Sequence, residues 1–154
     1  YAKVYPGIFK YMGKVNALVE QDGFITTLFG RRRNLPDVRS TVYKIKNRAL
    51  RQGLNFTVQS AASDVLVCAV LGIVDTIKRR GLLARLVATV HDSLEFVCPK
   101  SETETMCKII RDEMENCNYM GRTLGIQLSV PLAIDLEVGS SFGNGEPYEI
   151  SAAN

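Results

Sequence analysis

The chain has 154 residues, 46% hydrophobic and 23% charged, enough for one domain with a core of its own. No apolar stretch reaches the eighteen or more residues that would suggest a membrane span, and the N-terminus lacks the basic region, apolar run and small-residue cleavage site of a signal peptide. The net charge of +3 hides an asymmetry: residues 1–85 carry fifteen Lys or Arg against five Asp or Glu, and residues 86–154 carry four against eleven. A basic half attracts a polyanion such as nucleic acid, and does so more readily than it marks a membrane contact. The acidic half is either a solvated face or a recruiter of cations.

Pro6 and Gly7 open a segment with Ile8, Tyr11, Met12, Val15 and Val19 at helical spacing, and Gly23 is a fitting stop. The period then changes. Phe24 to Phe29 favour extended backbone and Gly30 allows a tight turn, so a short β-hairpin is expected, with Arg31, Arg32 and Arg33 at or just past its turn. Residues 41–80 read as a long helical region, with Leu66, Val70, Ile73 and Ile77 on one stripe. The β-branched Thr57 and Val58 leave room for a kink or a junction between two helices. Lys78-Arg79-Arg80-Gly81 is a basic last turn with a capping glycine.

LLARLVATV and SLEFVC then read as two strands of a hairpin joined at or near His91-Asp92, because one strand of that length would be unusual. Ser101 can cap a following helix whose buried stripe is Met106, Ile110, Met114 and Cys117. A last strand is expected in LAIDLEVG after Pro131, and a loop from Ser140 onward. The fold class is α+β, with antiparallel strands covered on one side by long helices. Cys68, Cys98, Cys107 and Cys117 form no CxxC pair and have no nearby histidine at zinc spacing, so buried, reduced thiols are expected.

Asp92 is the first residue that can carry chemistry. A carboxylate at the tip of a strand pair is fixed by its scaffold and exposed by its turn, which suits a divalent cation; it equally suits stabilisation of the turn itself. His91 is either a hydrogen-bond donor to a base or phosphate or a satisfied structural histidine. A serine-protease arrangement has no support beyond the neighbouring Ser93. Arg31, Arg32 and Arg33 are forks for phosphate oxygens or a solvated charge run. Lys44, Lys46, Arg48 and Arg51 spread around much of the next helix. Arg51, Asn55 and Gln59 share one face, which reads as a nucleic-acid contact or as a wet surface.

Four blocks, in order, resemble the family A, polymerase-I-like DNA polymerases. DGFITTLFGRRRNLPD is similar to the block G-x-x-x-T-x-x-G-R-R-R-x-x-P. RQGLNFTVQSAASD resembles R-x-x-x-N-x-x-x-Q-G-x-A-A-D, LVATVHDSLEF the palm motif V-H-D-E, and VPLAIDLEVG the closing P-L-x-V-x-x-x-x-G, with Ile134 in place of Val. The resemblance implies part of a right-hand polymerase: residues 1–40 as the end of the fingers and residues 41–154 as the C-terminal part of the palm. It implies that Asp92 is a metal-binding palm aspartate and that His91 lies near the primer terminus. Arg51, Asn55 and Gln59 would face the primer–template duplex, and Arg31, Arg32 and Arg33 are carried over as DNA-binding residues. Two magnesium ions in the complete enzyme, primer–template DNA, deoxynucleoside triphosphates and the remainder of the polymerase, in cis or as a separate chain, are the implied partners.

No membrane partner is expected, and the implied location is the cytoplasm of a bacterium or a phage-infected host. The start at Tyr1 rather than Met fits an excised or incomplete chain. Ser93 stands where the family motif has Glu, Ser60 where it has Gly and Ser63 where it has Ala; Ser93 suggests a phage or other divergent replicase. The family's first palm aspartate, nucleotide-gripping fingers helix and thumb have no counterpart in these residues. The alternative is a non-catalytic DNA-binding or structural remnant. An independent hydrolase using Asp92 and His91 lacks a paired carboxylate or a nucleophile.

Overall fold

A computed structural model describes residues 3–150. The chain forms two compact units, one ending at Asp64 and the other beginning at Val65. The fold is α+β, with short antiparallel ribbons packed against helices.

In the first unit, helix α1 runs Pro6–Asp22 and ends at Gly23, whose φ of 75° lets its N–H reach the carbonyl of Val19. Strands β1 (Phe24–Thr26) and β2 (Arg32–Asn34) pair antiparallel with Ile25 opposite Arg33. A 3-10 turn over Pro36–Arg39 follows, then helix α2, Tyr43–Arg80. The core is Val15, Val19, Ile25, Leu35, Val38 and Ala49, edged by Leu50, Leu54 and Phe56. Gly53 admits this packing: a Cβ there would lie 2.9 Å from Cγ2 of Val19 and 3.0 Å from Cδ1 of Leu35. The expected apolar stripe of α1 is buried only in its second half. Ile8 and Tyr11 stay exposed, because at that end α1 and α2 are separated by a cleft that the Tyr11 hydroxyl bridges, donating to Oγ1 of Thr57 at 2.8 Å.

The anticipated junction at Thr57 and Val58 does not form. α2 is one helix of 38 residues, and the Thr57 hydroxyl folds back on the carbonyl of Leu54 at 2.8 Å instead of breaking the ladder. An 18-residue stretch of α2 is apolar on average despite its two aspartates. By length and composition it therefore passes for a membrane span, contrary to the run-length reading. About 39% of that window is buried in protein, including Ala69 and Ile73.

In the second unit, α2 closes on Gly81, which has φ 64°. The Leu82 N–H reaches the Ile77 carbonyl and the Gly81 N–H reaches that of Lys78, a Schellman closure. β3 (Arg85–Val90) pairs with β4 (Ser93–Val97), and Val87 is bulged out between Leu86 and Ala88. α3 is Thr103–Glu115 and α4 is Asn118–Leu124. The core joins Ile73 and Ile77 to Ala84, Met106 and Ile109, with Leu94, Phe96, Ile110 and Met114 packed against it.

Glu113 is buried on α3. Its carboxylate accepts the Tyr119 N–H at 3.0 Å and pairs with Arg122 at 3.4 Å. Gly72 of α2 lies against it: a Cβ there would collide with that carboxylate and come within 2.8 Å of Cβ of Tyr119.

The described strands form three separate two-stranded ribbons. Several expectations are corrected. Of the strand foreseen in LAIDLEVG, only Glu137–Val138 (β5) forms. It pairs with Glu146–Pro147 (β6), inside the segment expected as loop. Before Glu137 the ribbon gains only one further backbone bond, from the Tyr148 N–H to the Leu136 carbonyl at 2.8 Å, and among the described residues no strand lies beside 132–135. Ser101 does not cap α3, because a 3-10 turn over Lys100–Glu102 intervenes, and the Glu102 carboxylate instead receives the N–H groups of Leu83 and Ala84. Cys117 lies beyond α3, at φ 50°, and leads into α4.

None of the four cysteines is in a disulfide; Cys68, Cys107 and Cys117 are buried and Cys98 is half-buried. Burial, more than neighbouring charge, pushes the thiols of Cys107 and Cys117 above their ordinary value of 9.0. The folded state then holds these protons more tightly than the unfolded one, so this contribution to stability is complete below pH 9 and fades as pH rises beyond it. Maleimide labelling followed by mass spectrometry should modify Cys98 first in the native protein and reach Cys107 and Cys117 only on unfolding. Equal rates at all three would contradict this packing.

The glycines give a signed test by thermal unfolding. Gly13→Ala on α1 meets nothing within 4 Å and should raise the midpoint, gaining up to about 1 kcal/mol of helix propensity. Gly53→Ala and Gly72→Ala should lower it, because overpacking by roughly 1–3 kcal/mol outweighs the same gain.

Candidate functional site

The β3–β4 hairpin presents His91 and Asp92 as its two connecting residues, between the paired Val90 and Ser93. Its inner face is held by Leu94 and Phe96 against the second core, so the tip projects from an anchored scaffold. His91 has φ 56°, a left-handed conformation that costs a non-glycine residue about 1–3 kcal/mol and persists only where its surroundings enforce it. The two-residue connection and the Ser93 hydroxyl do so here: Oγ donates to the Val90 carbonyl at 3.0 Å and lies 3.5 Å from the Glu95 carboxylate. Ser93 thus clamps the turn. His91 and Asp92 are exposed, and neither side chain has a hydrogen bond or ion pair among the described residues.

Asp92 offers hard oxygen donors to solvent. Magnesium is commonly held by one or two carboxylates together with water and substrate phosphates, so this donor suits it. Among the described residues, however, no group of three or more Asp, Glu, His or Cys could enclose a metal. Asp92 therefore fits as one arm of such a site and does not complete it.

The other candidates lie in the first unit. Arg51, Asn55 and Gln59 are exposed along α2, and their side chains have no partner among the described residues. Asn55 and Gln59 line the cleft against α1, a space of about 550 Å³ shared with Ile8, Tyr11 and Val58.

The three hairpin arginines go to three different partners. Arg31 donates through Nε at 3.2 Å and Nη2 at 2.5 Å to Oδ1 of Asp64, a carboxylate only 7% exposed. That hydrogen bond, and then the carboxylate's charge, push the Arg31 guanidinium further up. Arg32 stacks 3.6 Å above the Phe24 ring centroid and donates to Oδ1 of Asn34. Arg33 lies 5.6 Å from the centroid of Phe56. The run is thus not one fork for a single anion. Asp64, the counter-ion of Arg31, was missed as such by sequence reasoning; the available signal was that it is the first acid after 26 residues without one.

A family model described as DNA polymerase family A matches residues 1–144. The chain is 33% identical over 142 residues to DNA polymerase I of Bacillus caldotenax, covering 92% of this chain and 15% of the relative. It is 35% identical over 144 residues to DNA polymerase I of Treponema pallidum, covering 94% and 14%. It is 36% identical over 148 residues to DNA polymerase theta of Drosophila melanogaster, covering 92% and 7%. Among solved structures, the POL domain of Pol1 from M. smegmatis, in complex with DNA primer-template and dNTP, superposes with a TM-score of 0.75 at 30% identity, covering 86% of this chain and 22% of that one. The chain thus spans about 15% of the length of the bacterial polymerase I it matches. With the family match extending over nearly all of its residues, this chain belongs to DNA polymerase family A.

Proposed function

We propose that these residues are the C-terminal segment of a DNA-directed DNA polymerase, adding nucleotides to a primer 3′-hydroxyl, with residues 1–40 as the end of the fingers and 41–154 as palm. The observation that carries the reading is the His91-Asp92 turn: an exposed carboxylate on a hairpin that is packed on one face and clamped at its tip by Ser93. The Pol1 structure it resembles holds primer-template and dNTP, which supports the same partners here.

Each residue has a distinct task in this reading. Asp92 lends one carboxylate, and the second comes from the rest of the polymerase. Together these carboxylates would hold magnesium, which would supply charge neutralisation for the phosphates and make the primer hydroxyl more acidic. His91 donates a hydrogen bond near the primer terminus, and Arg51, Asn55 and Gln59 hold the duplex so that the hydroxyl meets the triphosphate in line. Ser93 has no carboxylate to lend and acts through the turn.

Single-turnover primer extension in a complete polymerase carrying this segment tests the assignment. Asp92→Asn keeps the size but removes the charge, and should slow extension by orders of magnitude while duplex affinity stays within roughly threefold. Ser93→Ala should lose only the turn clamp, worth about 1 kcal/mol. Near-normal extension by the asparagine variant would end the assignment of Asp92 as a metal ligand. Residues 1–154 on their own should not extend a primer, because Asp92 without a second carboxylate would hold the metal ions too weakly and too loosely to align the triphosphate with the primer hydroxyl. Extension by them alone would overturn the segment reading.

A further inference from the structure

Along the first hairpin and the front of α2, the structure sorts the cations into committed and uncommitted ones. Arg31 is paired with Asp64, and Lys46 reaches Glu20 at 2.8 Å. Arg32 and Arg33 sit over Phe24 and Phe56. Lys44, Arg48 and Arg51 are exposed on α2, and their side chains have no partner among the described residues.

These three are not scattered. Lys44, Arg48, Arg51, Asn55 and Gln59 fall at steps of four, three, four and four. At about 100° per residue they occupy an arc of about 80°, whereas Lys46 points about 200° away from Lys44. The stripe is about 22 Å long, roughly six base-pair steps of a duplex. No Asp or Glu occurs between Val38 and Ser63, so nothing along this part of the helix neutralises it. Lys44 lies in the first turn, where the helix dipole disfavours a cation and where α2 has no acid.

We propose that Lys44 and Arg48 extend the duplex-binding face of α2 by two turns, as phosphate contacts that continue the line of Arg51, Asn55 and Gln59. The inference rests on the polymerase reading above and adds two residues and a division of labour. The cationic end grips the phosphate backbone without regard to sequence, and the amide end can address sugar and base edges. Charge complementarity selects the occupant: an exposed, uncompensated basic stripe on a straight line of helix positions matches one edge of a polyanionic duplex.

The test is duplex affinity across a salt series, by fluorescence anisotropy, with the complete polymerase and a labelled primer–template. Lys44→Ala/Arg48→Ala should lower the slope of log affinity against log salt by about 1.8, at about 0.9 for each phosphate of B-form DNA that is no longer neutralised. Asn55→Ala should weaken binding with the slope unchanged, since an amide displaces no counterion. Lys44→Arg/Arg48→Lys should keep the slope, and Lys46→Ala should leave it where it was. A slope unmoved by the double alanine change, or moved as much by Lys46→Ala, overturns the stripe while leaving a primer-extending enzyme as a polymerase. A parent that neither extends primers nor binds the duplex overturns the polymerase reading and the stripe with it.

Discussion

Two glycines on one helix set the terms for everything packed around it. Gly53 and Gly72 are where α2 lacks a side chain, and at each a neighbour comes closer than a Cβ would allow. At Gly53 the neighbours are Val19, fully buried, and Leu35. They bring in α1 and the segment after the first hairpin. At Gly72 the neighbour is the Glu113 carboxylate, which costs too much to bury without donors. The Tyr119 N–H and Arg122 supply them, and in doing so fix how α3 turns into α4. A helix with ordinary residues at both positions would hold its neighbours off at each.

The hairpin that carries Asp92 follows the same logic of anchoring on one side and exposure on the other. Leu94 and Phe96 belong to the second core, whereas Val87 and Val97 are exposed. The Val87 bulge shifts the strand register before the tip is reached, and the two-residue connection then forces His91 to positive φ. The strain therefore lies next to the carboxylate, in the residue whose imidazole the proposed chemistry uses. The Ser93 clamp lets a polar, exposed turn keep one shape without burial.

Much of this was legible locally. The span of α1, the first hairpin, the basic end of α2 and the Asp92 turn all follow from signals within a few residues: a first-turn proline, glycines at positive φ and a change of hydrophobic period. What the sequence could not disclose depends on partners far along the chain. The LAIDLEVG segment has the alternation of a strand, but a strand needs a neighbour, and only Glu137 and Val138 find one. α4 begins where Cys117 adopts φ 50°, which no propensity announces. The pairing of Arg31 with Asp64 spans 33 residues, and that of Lys46 with Glu20 crosses from α2 to α1. Without those pairings all the cations look equivalent. The angular positions of Lys44, Arg48 and Arg51 could be read by counting, but which cations remain unspent could not.

The Arg31–Asp64 pair has a consequence for anyone who recombines this segment with that of a relative. The two residues bracket the second strand of the first hairpin and the front half of α2, and Asp64 is nearly closed off from solvent. A crossover between positions 31 and 64 puts the cation and the anion under the control of different parents. If the hairpin donor lacks an arginine at the matching site, the hybrid inherits a buried carboxylate with no counter-charge, a defect that neither parent has. Junctions placed after Asp64 keep the pair together, so hybrid libraries should tolerate breaks there better than breaks between the two partners.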